Sequence, residues 1–209
     1  MRAQRFESAW HALELAVLLG RGREIADLLV ERFLDPEPFQ LDGSVASVPV
    51  RFIAICARAS AAASARCFER FRSLRQQFSG ITQETNDFLT GAELYVKKDL
   101  AGAAKAWRPL LGGPLMQASM LPDEMADAFQ STGAANLAER VDREVMKRAA
   151  EFNGATLGHA REARRAADRG DRARAKQLAD QVINAWSLAD DEPPVLAKML
   201  QLVAQLQQR

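Results

Sequence analysis

The stretch Leu94–Leu111, LYVKKDLAGAAKAWRPLL, decides the fold of this chain. Its first residues end one helix, the triplet KKD forms a polar corner, and a second helix opens on small residues before Trp107. Small side chains let two helix backbones approach closely, and the indole ring fills the space beyond them. The same pattern recurs at Arg165–Trp186 and, earlier in the chain, at Trp10–Phe33. A pattern that recurs in this way predicts an array of stacked helix pairs.

The composition favours an all-α protein; the length allows one domain or two, and the recurring pattern favours a single helical-repeat domain over residues 1–209. Of the 209 residues 48% are hydrophobic, which is ample for a core, while only 7% are aromatic. Abundant alanine with few aromatic residues favours closely packed helices over a β-sandwich. The 28 basic and 27 acidic residues nearly cancel, so the net charge gives no reason to expect nucleic acid or a membrane as the partner.

The sequence predicts a cytoplasmic location. The apolar run Leu15–Leu19 follows Arg2 and Arg5 as in a secretory signal, but acidic residues interrupt this region and no small-residue cleavage site follows it. No segment approaches the ~20 uninterrupted apolar residues of a membrane-spanning helix. Cys56 and Cys67 are too few for a disulfide framework and lack metal-ligand spacing, so we expect reduced thiols.

Glycine, proline and polar corners divide the chain into five helix pairs and a closing helix. The predicted units are residues 6–40, 48–78, 84–115, 120–152 and 155–190, and the closing helix spans residues 193–207. One alanine in the second helix of each unit recurs at separations of 39, 38, 35 and 37 residues: Ala26, Ala65, Ala103, Ala138 and Ala175. The alternative is an irregular helical bundle in which this spacing arises by chance.

The second unit lacks a Gly or Pro turn signal. Its corner must fall within Ser60–Ala65, SAAASA. One continuous helix over residues 49–78 is the alternative, because alanine is the best helix former. We favour a corner, since Ala65 keeps the alanine spacing. A hairpin at this point would also place the two cysteines at similar heights on its two arms.

The first unit resembles a tetratricopeptide repeat. The family pattern places Trp, Leu, Gly, Tyr, Ala, a large residue and Pro at fixed offsets. The residues that agree with it are Trp10, Leu13, Ala26 and Pro38. The glycine, tyrosine and large positions are occupied instead by Glu14, Val17 and Val30. Since the alanine spacing of 35 to 39 residues also exceeds the family's ~34, the chain resembles a divergent member.

This resemblance implies a right-handed α-α superhelix of about five helix pairs with a C-terminal capping helix. In such arrays the first helix of each pair lines a concave groove that binds a protein or peptide without catalysis. Groove candidates lie beside the buried stripe of the first helices: Asn86, Glu93, Lys97, Asp127, Gln130 and Arg164. Similar arrays resemble sensing or docking portions of bacterial signalling proteins, so a ligand-sensing part of a larger regulator is an alternative.

Residues that usually carry catalysis or metal binding are sparse. The two histidines, His11 and His159, lie near opposite ends of the chain, and Gly20–Gly22 lacks the third glycine and the preceding strand of a phosphate loop. No serine stands in a nucleophile elbow. The acidic run Asp190–Glu192 precedes two prolines, which is typical of a solvated linker rather than a cation site. We therefore expect no enzyme, no cofactor and no metal.

Two basic clusters suggest a different function. Arg161–Lys176 carries seven basic residues against three acidic ones, and Arg51–Arg75 carries six against Glu69 alone. Such clusters can bind phosphates, so nucleic-acid binding is the alternative to protein docking. The first cluster has no interleaved aromatic residues on which bases could stack, and this favours a solvated helix face.

The two ends of the chain differ. The closing helix has polar residues outside one apolar stripe, as a terminal cap requires. The stripe consists of Val195, Met199, Leu202, Val203 and Leu206. The first helix carries Leu15, Leu18 and Leu19 besides its core stripe, so apolar residues surround most of it. We expect a second copy of the chain or a preceding domain to cover this face, and the alternative cover is the loop Asp35–Ser47 folding back.

Overall fold

The chain folds almost entirely into α-helices. The computed structural model describes residues 2–34, 48–77, 81–113, 120–151, 155–187 and 193–208. The helices of the N-terminal half are α1 (Arg2–Leu18), α2 (Gly22–Leu29), α3 (Val48–Arg58), α4 (Ala61–Leu74), α5 (Gln83–Val96) and α6 (Leu100–Trp107). Those of the C-terminal half are α7 (Pro122–Ser131), α8 (Ala135–Glu151), α9 (Leu157–Asp168), α10 (Arg172–Trp186) and α11 (Pro194–Gln208). No strand occurs in the described ranges, so the all-α prediction is confirmed for them.

None of the helices within these ranges combines the length and the apolar character that crossing a membrane requires.

Four helix hairpins turn through the same hydrogen-bond pattern. Each has one residue with a positive φ, between 66° and 81°, after its first helix: Gly20, Lys98, Gly133 and Gly170. The N–H of this residue donates to the carbonyl three residues back, and the next N–H donates to the carbonyl five residues back. This is the Schellman pattern, which satisfies carbonyls left open at a helix C-terminus. The sequence predicts corners at these four places from glycine and short polar stretches, at residues 20–22, 97–99, 131–133 and 170–171, and the structure confirms all four.

The second hairpin turns differently. α3 ends at Arg58 and α4 begins at Ala61, so the continuous helix over residues 49–78 is wrong. The extended backbone of Ser60 makes the turn, and its N–H donates to Asp27 Oδ1 on α2 at 2.7 Å. The turn therefore lies at the first residue of the predicted stretch rather than in its middle.

This early turn moves the small buried residue of α4 by one position. Ser64 is 0% exposed, whereas Ala65, the predicted member of the alanine series, is exposed. Ser64 is the fourth residue of its helix, as Ala103, Ala138 and Ala175 are of theirs. The spacing between alanines predicts Ala65 at the small position of α4, and this prediction is wrong. The distance from each corner, and not the distance between alanines, determines which small residue is buried.

The second hairpin joins Cys56 and Cys67 in a disulfide, and both residues are fully buried. α3 and α4 pack on each other, which brings the two Cα atoms to 5.3 Å. The prediction of reduced thiols is therefore wrong. Two cysteines are too few for a disulfide framework, but a single pair on facing helices can form a disulfide wherever the geometry permits it.

The buried apolar residues form two clusters. The larger cluster takes side chains from α1 to α8, with Trp10 and Trp107 among its largest members. The smaller cluster packs Leu178 and Met199 with other residues of α9, α10 and α11. The apolar stripe predicted for the closing helix lies in the smaller cluster, which confirms its inward orientation. α8 contributes side chains to both clusters and so connects them.

The first hairpin and the last helix meet at one point. Pro194, the first residue of α11, lies so close to Gly20 that a Cβ built on this glycine would be 3.3 Å from Pro194 Cγ. Arg58, at the end of α3, donates to both carboxylate oxygens of Glu124 on α7, at 2.8 and 3.3 Å. The chain therefore curves until its two ends touch.

The leucines of the first helix are only partly covered. Leu15 is 49% exposed, while Leu18 and Leu19 are half-buried. Leu18 faces α9 and α11, so the C-terminal half of the same chain supplies part of the cover. The loop Asp35–Ser47 lies outside the described residues. Cover of Leu15 by a second copy or by a preceding domain stays a prediction.

Candidate functional site

A cleft opens where the two ends of the chain meet. This end cleft lies between the last turn of α1 and the helices α9 and α11, and its volume is about 380 Å³. Its floor is mainly aliphatic: Val17, Leu18, Leu157, Ala160, Val195 and Met199. Its charged side chains are Arg161, Arg164 and Lys198, and no carboxylate of the described residues lines it. The end cleft therefore combines an apolar floor with a basic rim.

A second cleft lies on the other side of the last turn of α1. This side cleft has a volume of about 270 Å³ and shares Val17, Leu18 and Leu157 with the end cleft. Residues of α7 and α8 supply much of the remaining wall. Its charged side chains are of both signs: Glu14, Arg58, Asp123 and Arg148. Since the two clefts border on the same three side chains, one extended partner could reach from one into the other.

Some cations of these clefts have no carboxylate within 4.0 Å among the described residues, namely Arg148, Arg164 and Lys198. The neighbouring Arg58 is paired with Glu124. Arg161 is paired with Asp123 and Asp142. Unpaired cations beside an apolar surface suit an anionic partner, because charge-assisted hydrogen bonds to carboxylates are the stronger kind.

A chain of ion pairs lies beside the end cleft and connects α7, α8 and α9. Its members alternate in charge: Asp123, Arg161, Asp142, Arg165, Glu162, Arg169 and Glu139. Neighbouring N and O atoms are 2.6 to 2.9 Å apart, except for 3.6 Å at Glu139. The side chain of Asp142 is only 1% exposed. A carboxylate can be buried at this junction of the two apolar clusters because guanidinium groups surround it.

Among the members of this ion-pair chain, pairing changes the pKa of Arg161 and of Glu162. Burial alone would lower the pKa of Arg161, but hydrogen bonds to Asp142 and the charge of Asp123 raise it overall. Burial alone would raise the pKa of Glu162, but hydrogen bonds, first among them the one from Arg169, lower it overall. Both shifts favour the charged form, so Arg161 is a cation committed to internal carboxylates.

His159 supports the start of α9 next to the ion pairs. Its buried Nδ1 accepts a hydrogen bond from the backbone N–H of Thr156 at 3.2 Å, in a capping box. Burial and the charge of Arg174 lower the pKa of His159, against the opposing charge of Asp142. The capping geometry requires a neutral ring, because only an unprotonated Nδ1 can accept.

The six predicted groove residues are divided between internal contacts and the surface. Three accept hydrogen bonds from side chains of other segments: Asn86 from Arg75, Glu93 from Arg72 and Asp127 from Tyr95. Burial and the hydrogen bond to Asp127 raise the pKa of Tyr95, which keeps this phenol protonated as a donor. Lys97 and Gln130 are exposed. Arg164 is also exposed, and of the six it alone lines the end cleft or the side cleft.

The two basic clusters are largely engaged within the chain. Four members of the first cluster pair with carboxylates: Arg161, Arg165, Arg169 and Lys176. In the second cluster Arg58 and Arg72 do so, and the Arg51 guanidinium lies 5.8 Å from the centre of the Trp10 ring. These basic side chains would have to give up their internal partners in order to bind phosphate. Their pairing therefore favours a structural role for the two basic clusters over nucleic-acid binding.

No pattern in the sequence marks Lys198 or Arg148 as a cleft residue. Lys198 lies outside the apolar stripe of the closing helix, but its local sequence does not indicate which element lies opposite. The end cleft exists only because Gly20 meets Pro194, residues that lie far apart in the chain. The signal that points to this site is therefore the tertiary closure and not a motif.

No protein-family model, curated protein or solved structure matches this chain. Across the part of the chain that the structure describes, no group of three or more His, Cys, Asp and Glu side chains is placed to hold a metal ion. The interpretation of the clefts therefore depends on their own geometry and charge.

Proposed function

We propose that this chain is a tetratricopeptide-like docking module that binds a protein or peptide partner without turnover. In this proposal its architecture is a right-handed α-α superhelix of about five helix pairs with a capping helix. Support comes from the corners at Gly20, Ser60, Lys98, Gly133 and Gly170, which are 40, 38, 35 and 37 residues apart. One helix hairpin at each such interval is typical of stacked helical repeats.

The observation that carries the proposal is the pair of connected clefts beside the last turn of α1. Aliphatic side chains from α1, α9 and α11 floor the end cleft, and it is bordered by Arg164 and Lys198, which have no carboxylate partner within the described ranges. A concave, mostly apolar surface with a few polar anchors is the usual form of a binding site. Removal of apolar side chains of a partner from water would stabilise the complex, and the cations would orient the partner.

The side chains at the clefts favour binding over chemistry. A general acid–base reaction needs a titratable group within hydrogen-bond reach of the reacting atom. The carboxylates of the side cleft are already engaged, Glu14 with His11 and Asp123 with Arg161. The nearby His159 is buried and serves to cap α9. This supports docking without turnover.

The clefts are a better docking surface than the groove that the sequence suggests. At Asn86, Glu93 and Asp127 a ligand would have to replace hydrogen bonds that the chain already makes. Arg164 and Lys198 have no carboxylate partner among the described residues, so a ligand gains their interactions without such a loss. Nucleic-acid binding is the weaker candidate, because many arginines of the basic clusters are paired.

The test is site-specific photo-crosslinking in cells. A diazirine analogue of leucine replaces Leu18, which lines both clefts, or Leu200, which is 51% exposed on α11 and lines neither. We expect a covalent partner adduct from position 18 and none from position 200. Equal labelling from both positions, or labelling from 200 alone, would contradict docking in the clefts.

A further variant separates the clefts from the predicted groove. The triple change Asn86→Ala, Glu93→Ala and Lys97→Ala alters groove candidates that line neither cleft. We expect the adduct at position 18 to persist in this variant. Loss of the adduct, with the helical content unchanged, would indicate that the partner binds in the predicted groove and not in the clefts.

A further inference from the structure

We propose that the end cleft binds a short peptide segment in which carboxylates flank aliphatic side chains. This inference rests on the proposed docking function and names the chemistry of its partner. The carboxylates pair with Arg164 and Lys198, and the aliphatic side chains enter the floor between them.

Among the described residues, the charged side chains that line the end cleft are all of one sign. Every charged side chain that lines it is basic, and Arg164 and Lys198 are exposed with no carboxylate within 4.0 Å among the described residues. The third cation, Arg161, already satisfies Asp123 and Asp142. The two unpaired cations therefore attract and orient an anionic partner, while Arg161 keeps the wall in place.

The two unpaired cations stand on different helices. Arg164 is on α9 and Lys198 is on α11, and these helices pack on each other in the smaller apolar cluster. A guanidinium group recognises a carboxylate through two parallel hydrogen bonds, whereas an ammonium group acts as a point charge. A partner with two carboxylates a few residues apart can engage both helices at once.

The floor between the cations suits aliphatic side chains. Val17 and Leu18 of α1 line the end cleft together with Val195 and Met199 of α11. Methionine adapts its shape to irregular partners, which favours a range of aliphatic side chains over one rigid ring. The volume of about 380 Å³ lies at the lower end of ligand sites, so a few residues fit and a whole helix does not.

A peptide fits this surface better than a fatty acid does. The adjoining side cleft continues past Val17 and Leu18 with Glu14, Asp123 and Thr156 in its wall. Glu14 and Asp123 keep acceptor lone pairs beyond those bound to His11 and Arg161, so they can also accept hydrogen bonds from the N–H groups of a peptide backbone. An acyl chain would shield these acceptor sites from water without offering a hydrogen bond, which is unfavourable.

The test compares two labelled hexapeptides by fluorescence polarisation, one with the core Glu-Leu-Leu-Glu and one with the core Gln-Leu-Leu-Gln. The two are matched in size and differ only in charge. We expect the acidic peptide to bind at least about tenfold more tightly, with a Kd that rises as salt is added. Equal affinities, or no binding of either peptide up to about 1 mM, would overturn the inference.

Charge reversal locates the binding. Arg164→Glu with Lys198→Glu should weaken the acidic peptide by at least about tenfold. The matched control is Lys105→Glu with Arg143→Glu, which changes two exposed cations that line neither cleft, and it should leave the Kd unchanged. An equal loss in both double variants would show only a general charge effect and overturn the inference.

Two outcomes separate this inference from the proposed function. If photo-crosslinking at position 18 captures a protein partner while neither hexapeptide binds, the docking function stands and the acidic chemistry is wrong. The fatty acid decanoate tests the alternative of an acyl ligand. If decanoate binds and the acidic peptide does not displace it, and if no adduct forms at position 18, then both the acidic-peptide inference and the proposed docking function are wrong.

Discussion

Asp142 on α8 and Arg161 on α9 form a buried ion pair that joins the two helices. The Asp142 side chain is only 1% exposed, and Arg161 donates to it from Nη2 at 2.6 Å and from Nε at 3.0 and 3.1 Å. Arg165 Nη2 adds a further hydrogen bond at 2.7 Å. The helices α8 and α9 are therefore joined at this point by a buried carboxylate and two guanidinium groups, and not by apolar packing alone.

The change Asp142→Asn should destabilise the protein by about 1.5 to 3 kcal/mol, because its buried charge-assisted hydrogen bonds to two arginines would be lost, while Arg161 keeps Asp123 and Arg165 keeps Glu162. Urea unfolding followed by circular dichroism measures this. The matched control is Glu139→Gln at the more exposed end of the same chain, 3.6 Å from Arg169, which should cost under about 1 kcal/mol. Equal losses for the two variants would mean that burial at Asp142 is not what makes its contacts strong.

Stability should fall as the pH drops below 6.5, the ordinary pKa of histidine, because of His159. The pKa of His159 is lower in the folded protein than in the unfolded chain. At pH values between these two pKa values, the unfolded state therefore binds more protons than the folded state. Above this window both states are neutral and His159 adds no pH dependence. Urea titrations between about pH 7 and pH 5 should show the slope, and His159→Gln should remove it.

The control for this pH dependence is His11→Gln, which changes the other histidine, an exposed one. The slope should remain, since His159 is intact. Glu162 acts in a different window: its folded pKa is lowered, so its contribution is lost only as the pH falls below about 4.5. A slope above pH 5 that survives His159→Gln would contradict the assignment.

Reduction of the disulfide should destabilise the protein by about 3 kcal/mol. The reason is that the unfolded chain would regain the conformational entropy that a cross-link between cysteines 11 residues apart removes. Urea unfolding with and without dithiothreitol measures the effect. The double variant Cys56→Ala with Cys67→Ala should be insensitive to the reductant. A thiol titration of the unreduced, denatured protein should find no free thiols, and two titratable thiols per chain would show that the disulfide is not formed.

Gly91→Ala should destabilise the protein by about 1 to 3 kcal/mol, despite the better helix propensity of alanine. A Cβ at this position would lie 2.2 Å from Trp107 Nε1, which donates to the carbonyl of Phe88 at 3.2 Å. The indole ring therefore packs directly on the backbone of α5. Thr90→Ala, on the exposed side of the same helix, is the control for propensity. An unchanged melting temperature for Gly91→Ala would mean that the two helices are not in such close contact.

Much of the fold could be predicted because its corners are encoded locally. Gly20, Gly133 and Gly170 supply the positive φ that a Schellman turn requires, and Lys98 adopts the same conformation within a polar triplet. The corner at Ser60 has no such signal, and a tertiary hydrogen bond to Asp27 fixes it. Without that contact, counting alanines placed the buried residue one position too far along α4.

The candidate site could not be predicted in the same way. Leu18, Leu157 and Val195 lie on three helices that meet only because the chain curves until its ends touch. The sequence predicts Arg164 as a groove residue because it lies beside a helical stripe, whereas in the structure Arg164 lines the end cleft because α9 meets α1 and α11 there. Asn86 and Asp127 look like free polar groups in the sequence, but partners on other segments already occupy them.

The most direct test of this account is the distance between the two ends, measured by double electron–electron resonance. Nitroxide labels replace Arg21 and Ala197, two exposed residues near the contact between Gly20 and Pro194. We predict a single distance of about 15 to 25 Å, from residue spacings and label arms at a closed contact. A distribution centred near 40 Å, as in an open stack of five pairs about 10 Å apart, would contradict closure and with it the end cleft.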